Sequence, residues 1–347
     1  MRAAERLILA LASVLAMSAV KADAAGRQTS LRHPVQVSNG RHLNLVCIGE
    51  GRPTVVFENG LGSSILDWKQ VQASVGEFTR ACVYDRGGKG YSDPALPHAH
   101  ATTVVADLHD LVDHGHLARP MVLVGQSAGG LFATLYAQTY PGEVSGLVLV
   151  DPAFANQFRD WTARRPDERA STVAAVARSN ARLAKCAALA RAHELSVGDA
   201  SGCTAFAGMS PRAAYTDEEK AYFAAQVLNP AYYDAVIAEQ KAAIPLQGDT
   251  DRNSLDVIRS RRSFGSMPIV VLTSGMKGLN GSSATPEEEA AWKAFWKKGH
   301  DALAARSAKG ESLSVPDAGH LIQMDRPKAV VDAVRRVVEA VRAGQGT

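Results

Sequence analysis

The sequence predicts an α/β fold, in which a mostly parallel sheet is flanked by helices on both faces. Short apolar runs rich in β-branched residues alternate with longer segments that have helical spacing, a rhythm typical of parallel sheets covered on both sides. This rhythm stops once, between Pro152 and Met267, where the chain is rich in Ala, Arg and Glu and no strand is evident. A helical segment is therefore predicted to interrupt the sheet domain.

Length and composition favour one large domain with an insertion over two domains of equal size. The chain has 347 residues, 46% of them hydrophobic, and a formal net charge of +3. A chain of this kind can bury a large core. Its basic residues form only short groups, so no nucleic-acid-binding surface is predicted.

Residues 1–24 have the features of an export signal. Arg2 and Arg6 precede an uncharged apolar run from Leu7 to Val20, and small residues at Ala22 and Ala24 match the pattern that a signal peptidase needs. The run is shorter than the roughly 20 residues of a membrane span; an uncleaved anchor is the alternative. We expect an exported chain, periplasmic or secreted, with no stable membrane span after cleavage.

The predicted elements follow one another in regular order. Strands are predicted at 42–48, 53–57, 80–84, 120–124, 144–150, 268–273 and 312–315. Helices are predicted at 102–117 and 131–140, and a last helix starts near Pro327 and ends at Gly344. Six valines form one apolar stripe along that last helix, which predicts that it packs on the sheet.

A pentapeptide, Gly125-Gln126-Ser127-Ala128-Gly129, joins a predicted strand to a predicted helix. Side chains at the two glycine positions would collide with neighbouring backbone in a sharp turn of this kind. The turn would hold the Ser127 hydroxyl above the sheet edge, near the N-terminal N–H groups of the helix. Ser127 is therefore predicted as a nucleophile; a passive serine in a glycine-rich turn is the alternative.

Two further segments fit a nucleophilic serine. A glycine-rich segment around Gly60 follows a predicted strand and would let a backbone N–H turn towards the site. The N–H groups of Leu61 and Ala128 would then form an oxyanion hole, which binds charge that develops in the transition state; an ordinary strand-to-helix turn is the alternative. His320 follows the last strand and could act as general base to Ser127. On its own, this histidine would more often be a surface residue.

The order of these segments resembles the α/β-hydrolase superfamily. The matching motifs are ENGLGSS from Glu58, the DRxGxGxS-like YDRGGKGYS from Tyr84, VGQSAGG from Val124 and AGH ending at His320. The likeness covers about residues 40–342 and is closest to bacterial esterase-like members. It implies a mostly parallel eight-stranded sheet, a core of residues 25–151 and 268–347, and a helical cap, 152–267, inserted after the sixth strand.

The resemblance also implies a chemistry. A serine hydrolase of this kind cleaves a carboxylic ester, or a related acyl bond, through an acyl-enzyme on Ser127 and needs no cofactor or metal. Lactonase, thioesterase, carbon–carbon hydrolase and acyltransferase variants stay open, as does a non-catalytic binding protein on the same fold. A serine at this position argues against haloalkane dehalogenase and epoxide hydrolase chemistry. Apolar and aromatic residues in the cap suggest a small, partly apolar ester substrate, and they fit a packed helical core equally well.

The catalytic acid departs from the usual pattern. Many superfamily members carry it just after the penultimate strand, but no carboxylate follows that strand here before Glu287. The glutamates from Glu287 onward have the pattern of a capped helix start. Asp151 instead ends the strand beside the Ser127 strand, at the rim where His320 would also lie. Asp151 is therefore predicted to orient His320; the alternative is that it only caps the strand exit.

Four cysteines, Cys47, Cys82, Cys186 and Cys203, permit two disulfides in an oxidising compartment. The sequence alone allows three connectivities, and four buried thiols are the alternative. The resemblance places the strand of Cys47 beside that of Cys82, which implies that these two pair and that Cys186 pairs with Cys203 in the cap. None has the spacing of zinc ligands, so no metal site is predicted.

Overall fold

The fold comes from a computed structural model that describes residues 30–97, 99–163, 165–204, 215–245, 248, 250–275 and 285–345. The predicted export signal, residues 1–24, lies outside the described residues. Among those that are described, no helix is both long enough and apolar enough to cross a membrane.

An eight-stranded sheet forms the centre of the molecule, with the strand order β1-β2-β4-β3-β5-β6-β7-β8. The strands are β1 (Pro34–Gln36), β2 (His42–Ile48), β3 (Val55–Glu58), β4 (Ala81–Tyr84), β5 (Met121–Gln126), β6 (Val144–Val150), β7 (Ile269–Ser274) and β8 (Gly310–Val315). β2 is antiparallel to both of its neighbours, whereas the pairs from β4 to β8 are parallel. The predicted fold class is confirmed. β1 was not predicted, because three residues are too few to show a strand period.

Helices lie between the strands and cover the sheet. Those of the core are α1 (Lys69–Gly76), α2 (Ala101–His114) and α3 (Ala128–Thr139), followed after β7 by α9 (Pro286–Ala304), α10 (Ile322–Asp325) and α11 (Pro327–Gln345). Every residue of β3, β4 and β5 is buried, as expected for parallel strands with helices on both faces.

A helical insertion separates β6 from β7. Its helices are α4 (Gln157–Thr162), α5 (Pro166–Arg191), α6 (Asp217–Val227), α7 (Pro230–Ala243) and α8 (Arg252–Arg259). α5 and α7 pack along each other, and Leu183, Tyr233 and Val236 are buried between them. Leu61 from the core packs against this same cluster, so the insertion lies directly on the loop that follows β3.

Two disulfides join the four cysteines. Cys47 and Cys82 lie directly opposite each other in the antiparallel pair β2–β4 and are bonded. Cys186, near the end of α5, is bonded to Cys203 in the segment that follows. These are the pairs that the resemblance implies, and two disulfides are consistent with export to an oxidising compartment.

Candidate active site

Ser127 occupies a strained turn between β5 and α3. Its φ of +53° and ψ of −122° lie in a region that non-glycine residues rarely adopt, at a cost of about 1–3 kcal/mol. Hydrogen bonds from the surrounding backbone hold it there. The Ser127 N–H donates to Val150 O at 3.1 Å, and its carbonyl accepts from Gly130 N at 2.9 Å and Ala153 N at 2.8 Å.

The two motif glycines are needed because backbone crowds against them. A Cβ at position 125 would lie 2.3 Å from the carbonyl oxygen of Gly129, and a Cβ at position 129 would lie 2.3 Å from that of Glu58. Neither contact can be relieved by rotating a side chain. The collision predicted from the sequence is therefore present at both positions.

Asp151 follows β6 directly and its carboxylate is fully buried. Its backbone also has a positive φ, +44°, and its N–H donates to Leu272 O at 2.8 Å. Oδ1 accepts from the Ser274 N–H and from Trp296 Nε1, each at 2.9 Å. Oδ2 accepts from the Ser274 hydroxyl at 2.9 Å and lies 2.6 Å from Nδ1 of His320. The carboxylate thus has four polar contacts, with three residues.

Electrostatics keep Asp151 ionised. Burial on its own would raise the pKa of this carboxyl, but the hydrogen bond and charge of His320, with the donors from Ser274 and Trp296, hold the pKa below its ordinary value. Asp151 is therefore a buried carboxylate that can fix the orientation of an imidazole.

His320 lies in the loop after β8. Because Nδ1 faces Asp151, Nε2 is the ring nitrogen that remains for a substrate or a nucleophile. The side chain of His320 is 35% exposed. The backbone carbonyl of His320 accepts from Gln126 Nε2 at 3.1 Å. Within the described residues, no hydrogen bond joins this ring to the Ser127 hydroxyl; in many hydrolases that bond tightens only when substrate is bound.

The loop that carries Leu61 lies against the Ser127 turn. A Cβ at Gly60 would lie 2.2 Å from Gln126 Oε1, so the side chain of Gln126 fills the space beside Gly60 and joins the two segments. The N–H of Ala128 belongs to the first residue of α3 and has no acceptor within that helix. The two N–H groups predicted for the oxyanion hole therefore lie on segments in contact.

The alternative acids lie elsewhere. Thr285 caps α9 in a capping box with Glu288, and Pro286 is its first residue, so the predicted helix start is confirmed. Glu287 and Glu288 are exposed, while the carboxylate in contact with His320 belongs to Asp151.

Several supporting residues were not predicted. Trp296 and Ser274 hold Asp151 from α9 and β7, and neither has a sequence signal of its own. His300 is a third example, because its Nε2 donates to Pro152 O at 2.9 Å and its Nδ1 accepts from the Thr273 hydroxyl at 2.7 Å. Burial lowers the pKa of His300 to about 4, so this histidine is neutral and supports the turn after Asp151.

Comparisons with known proteins agree with this architecture. A family model described as the alpha/beta hydrolase fold matches residues 53–196. A pimeloyl-[acyl-carrier protein] methyl ester esterase of Shewanella woodyi is 34% identical over 125 residues, which are 34% of this chain and 44% of that protein. An uncharacterized protein of Bacillus subtilis is 31% identical over 108 residues, covering 31% of this chain and 43% of that protein. The chain thus spans less than half the length of these relatives.

Solved structures match over most of the chain. A thermophilic esterase from Thermogutta terrifontis superimposes with a TM-score of 0.54 at 21% identity, covering 89% of this chain and 98% of that one. An enol-lactonase from Burkholderia xenovorans gives a TM-score of 0.52 at 19% identity, covering 88% of this chain and 100% of that one. At such identities the likeness concerns the fold.

Proposed function

The chain has the α/β-hydrolase fold, and on that premise we propose that it is an exported serine hydrolase that cleaves carboxylic esters or a related acyl bond. One observation carries the proposal. The buried Asp151 carboxylate lies 2.6 Å from Nδ1 of His320, at the rim where the strained turn presents Ser127.

The residues have distinct roles in the proposed reaction. Ser127 Oγ attacks the ester carbonyl while His320 Nε2 accepts its proton, and Asp151 stabilises the imidazolium that forms. The N–H groups of Leu61 and Ala128 bind the oxyanion of the tetrahedral intermediate. Collapse expels the alcohol, which takes the proton from His320. Water then hydrolyses the acyl-enzyme by the same steps in reverse, and no cofactor takes part.

Substrate class and location belong to the same proposal. The helical insertion, residues 152–267, acts as a cap over the site and lines it for a small, partly apolar ester. The two disulfides support a periplasmic or secreted enzyme. The contacts among Asp151, Ser274 and His320 favour catalysis over a non-catalytic ligand-binding protein, because binding alone gives no reason to bury and ionise that carboxylate.

A fluorophosphonate probe tests the proposal directly. The wild-type protein should be labelled at Ser127, and the Ser127→Ala variant should be neither labelled nor active on a panel of esters with varied acyl length. Ser263→Ala, which alters an exposed serine, is the matched control and should behave as wild type. A folded Ser127→Ala variant that keeps more than about a thousandth of the activity would contradict the assignment, since losing a nucleophile typically costs far more.

A further inference from the structure

Four charged side chains are buried together beneath the Leu61 loop. Glu58, Arg86, Lys89 and Glu239 are all less than about a tenth exposed. Glu58 ends β3, Arg86 and Lys89 lie in the loop after β4, and Glu239 comes from α7 in the insertion. The cluster therefore joins the insertion to the core by charge.

Glu239 is the centre of this cluster. Its Oε1 accepts from Arg86 Nε at 2.9 Å, and its Oε2 accepts from Lys89 Nζ at 2.8 Å. The same Oε2 accepts a longer hydrogen bond, 3.4 Å, from the N–H of Gly62. One carboxylate thus holds both cations and also contacts the loop that carries Leu61.

Arg86 also binds the peptide unit that joins Gly60 to Leu61. Its Nη2 donates to the carbonyl oxygen of Gly60 at 2.7 Å. That carbonyl and the Leu61 N–H belong to the same planar trans peptide unit, so they point in opposite directions. A carbonyl held towards Arg86 therefore turns the Leu61 N–H away from it. The guanidinium sets the direction of the N–H that we assign to the oxyanion hole.

We propose that Glu239 is a positioning residue for the oxyanion hole, acting through Arg86 on the Gly60–Leu61 peptide and directly on Gly62. The inference rests on the proposed function, because it concerns the same site. It gives the insertion a second task besides covering the substrate: one of its helices holds the backbone that stabilises the transition state.

The charges explain why Glu239 cannot be replaced by a neutral group without effect. Burial would raise the pKa of Glu239, but the positive charges of Arg86 and Lys89 lower it to about 2. Burial raises the pKa of Glu58, so Glu239 keeps its negative charge to lower pH than Glu58 does. Arg86 also pairs with Glu58 through Nη1, so without Glu239 its Nε would lose its partner, the guanidinium would be held from one side only, and the bond to Gly60 would lose its geometry.

Glu239→Gln keeps the size of the side chain and removes its charge. Removing one oxyanion donor outright typically costs about 10²–10³ in kcat, and misaligning it should cost less. We expect kcat to fall about ten- to a hundredfold with KM changed less than about threefold. Asp234→Asn is the matched control, because it removes a carboxylate of the same helix that pairs with Arg191 at the surface; its kcat should stay unchanged.

Two readouts separate positioning from a merely structural role. Turnover is expressed per site titrated by the fluorophosphonate probe, so a smaller folded fraction does not lower it. Affinity for a trifluoromethyl ketone, which forms an oxyanion with the serine, should fall by the same factor as kcat/KM, while affinity for the product acid should not.

The outcomes are distinct. A Glu239→Gln protein with wild-type kcat per titrated site overturns the inference and leaves the proposed function intact if Ser127→Ala is inactive. If Glu239→Gln does not fold, the double variant Glu239→Gln/Lys89→Met, which restores the charge balance, takes its place: reduced kcat supports the inference and wild-type kcat overturns it. An active Ser127→Ala would instead remove the proposed function.

Discussion

The two halves of the candidate site are built by different means. On one side, Ser127 and Asp151 both have positive φ angles and are held by backbone hydrogen bonds to neighbouring strands. On the other side, the Leu61 loop is held by side-chain charges, and its two main partners, Arg86 and Glu239, are 153 residues apart in the chain. The first half is fixed by the sheet, and the second depends on the insertion as well.

The difference has a functional meaning. The Ser127 turn is held by backbone hydrogen bonds to Val150 of β6, to Gly130 of α3 and to Ala153 at the very start of the insertion, so a shift of α7 should leave its geometry unchanged. The oxyanion side should respond to the position of α7, because Glu239 belongs to that helix. Variants that alter one half and spare the other therefore test the comparison.

The largest effect is expected on the sheet side. Asp151→Asn keeps the shape of the side chain but removes the charge that stabilises protonated His320, so kcat should fall by roughly ten-thousandfold. Steady-state kinetics on an ester give the measurement, and Glu287→Gln is the control that should retain activity. If Glu287→Gln were the inactive variant, the acid would have been assigned to the wrong residue.

The sequence suggested most of the residues in the half of the site that contains Ser127 and Asp151. It suggested few of the residues that hold the Leu61 loop. The Ser127 turn needs glycine at fixed neighbouring positions, and this need is visible as a short motif. The contact of Asp151 with His320 could be expected from the end of a strand and from the lack of a carboxylate after β7. Glu239 had no such signal, because a helical glutamate is usually solvated and its partners lie far away in the sequence. Trp296, 145 residues from Asp151, was missed for the same reason.

A smaller effect is expected when one support of Asp151 is removed. Trp296→Phe deletes the donor to Oδ1 and keeps the aromatic packing, which should cost about 0.5–1.5 kcal/mol, or roughly two- to tenfold in kcat. This hydrogen bond helps to lower the pKa of Asp151, so its loss raises that pKa. The rise in the Asp151 pKa is measured at the residue itself, from the 13C chemical shift of its carboxyl group as the pH is varied.

The control for Trp296→Phe lies in the same aromatic cluster. Trp292 stacks on Trp296, but among the described residues the hydrogen bonds to the Asp151 carboxylate come from Ser274, Trp296 and His320, so Trp292→Phe should leave the pKa of Asp151 in place. Equal shifts in the two variants would mean that packing of the cluster, and not the hydrogen bond, determines the pKa of Asp151.

The smallest effect on turnover is expected outside both halves. Replacing Cys47 and Cys82 by serine removes a disulfide within the sheet and should lower the free energy of unfolding by about 2–4 kcal/mol, with kcat nearly unchanged. Denaturant unfolding and kinetics at a permissive temperature measure the two quantities. Non-reducing peptide mapping checks the connectivity, and a Cys47–Cys186 peptide would contradict it.

The location of Asp151 at the end of β6 also bears on how this protein can change over evolution or in the laboratory. With the acid there, β7 supports the site without supplying the acid itself; Ser274, for example, donates to that carboxylate. The chain between Gly275 and Thr285 carries no group of the proposed triad. Changes of sequence in that interval therefore leave the residues of the proposed triad in place. A library built there should yield many more active clones than a library of equal size built around Asp151.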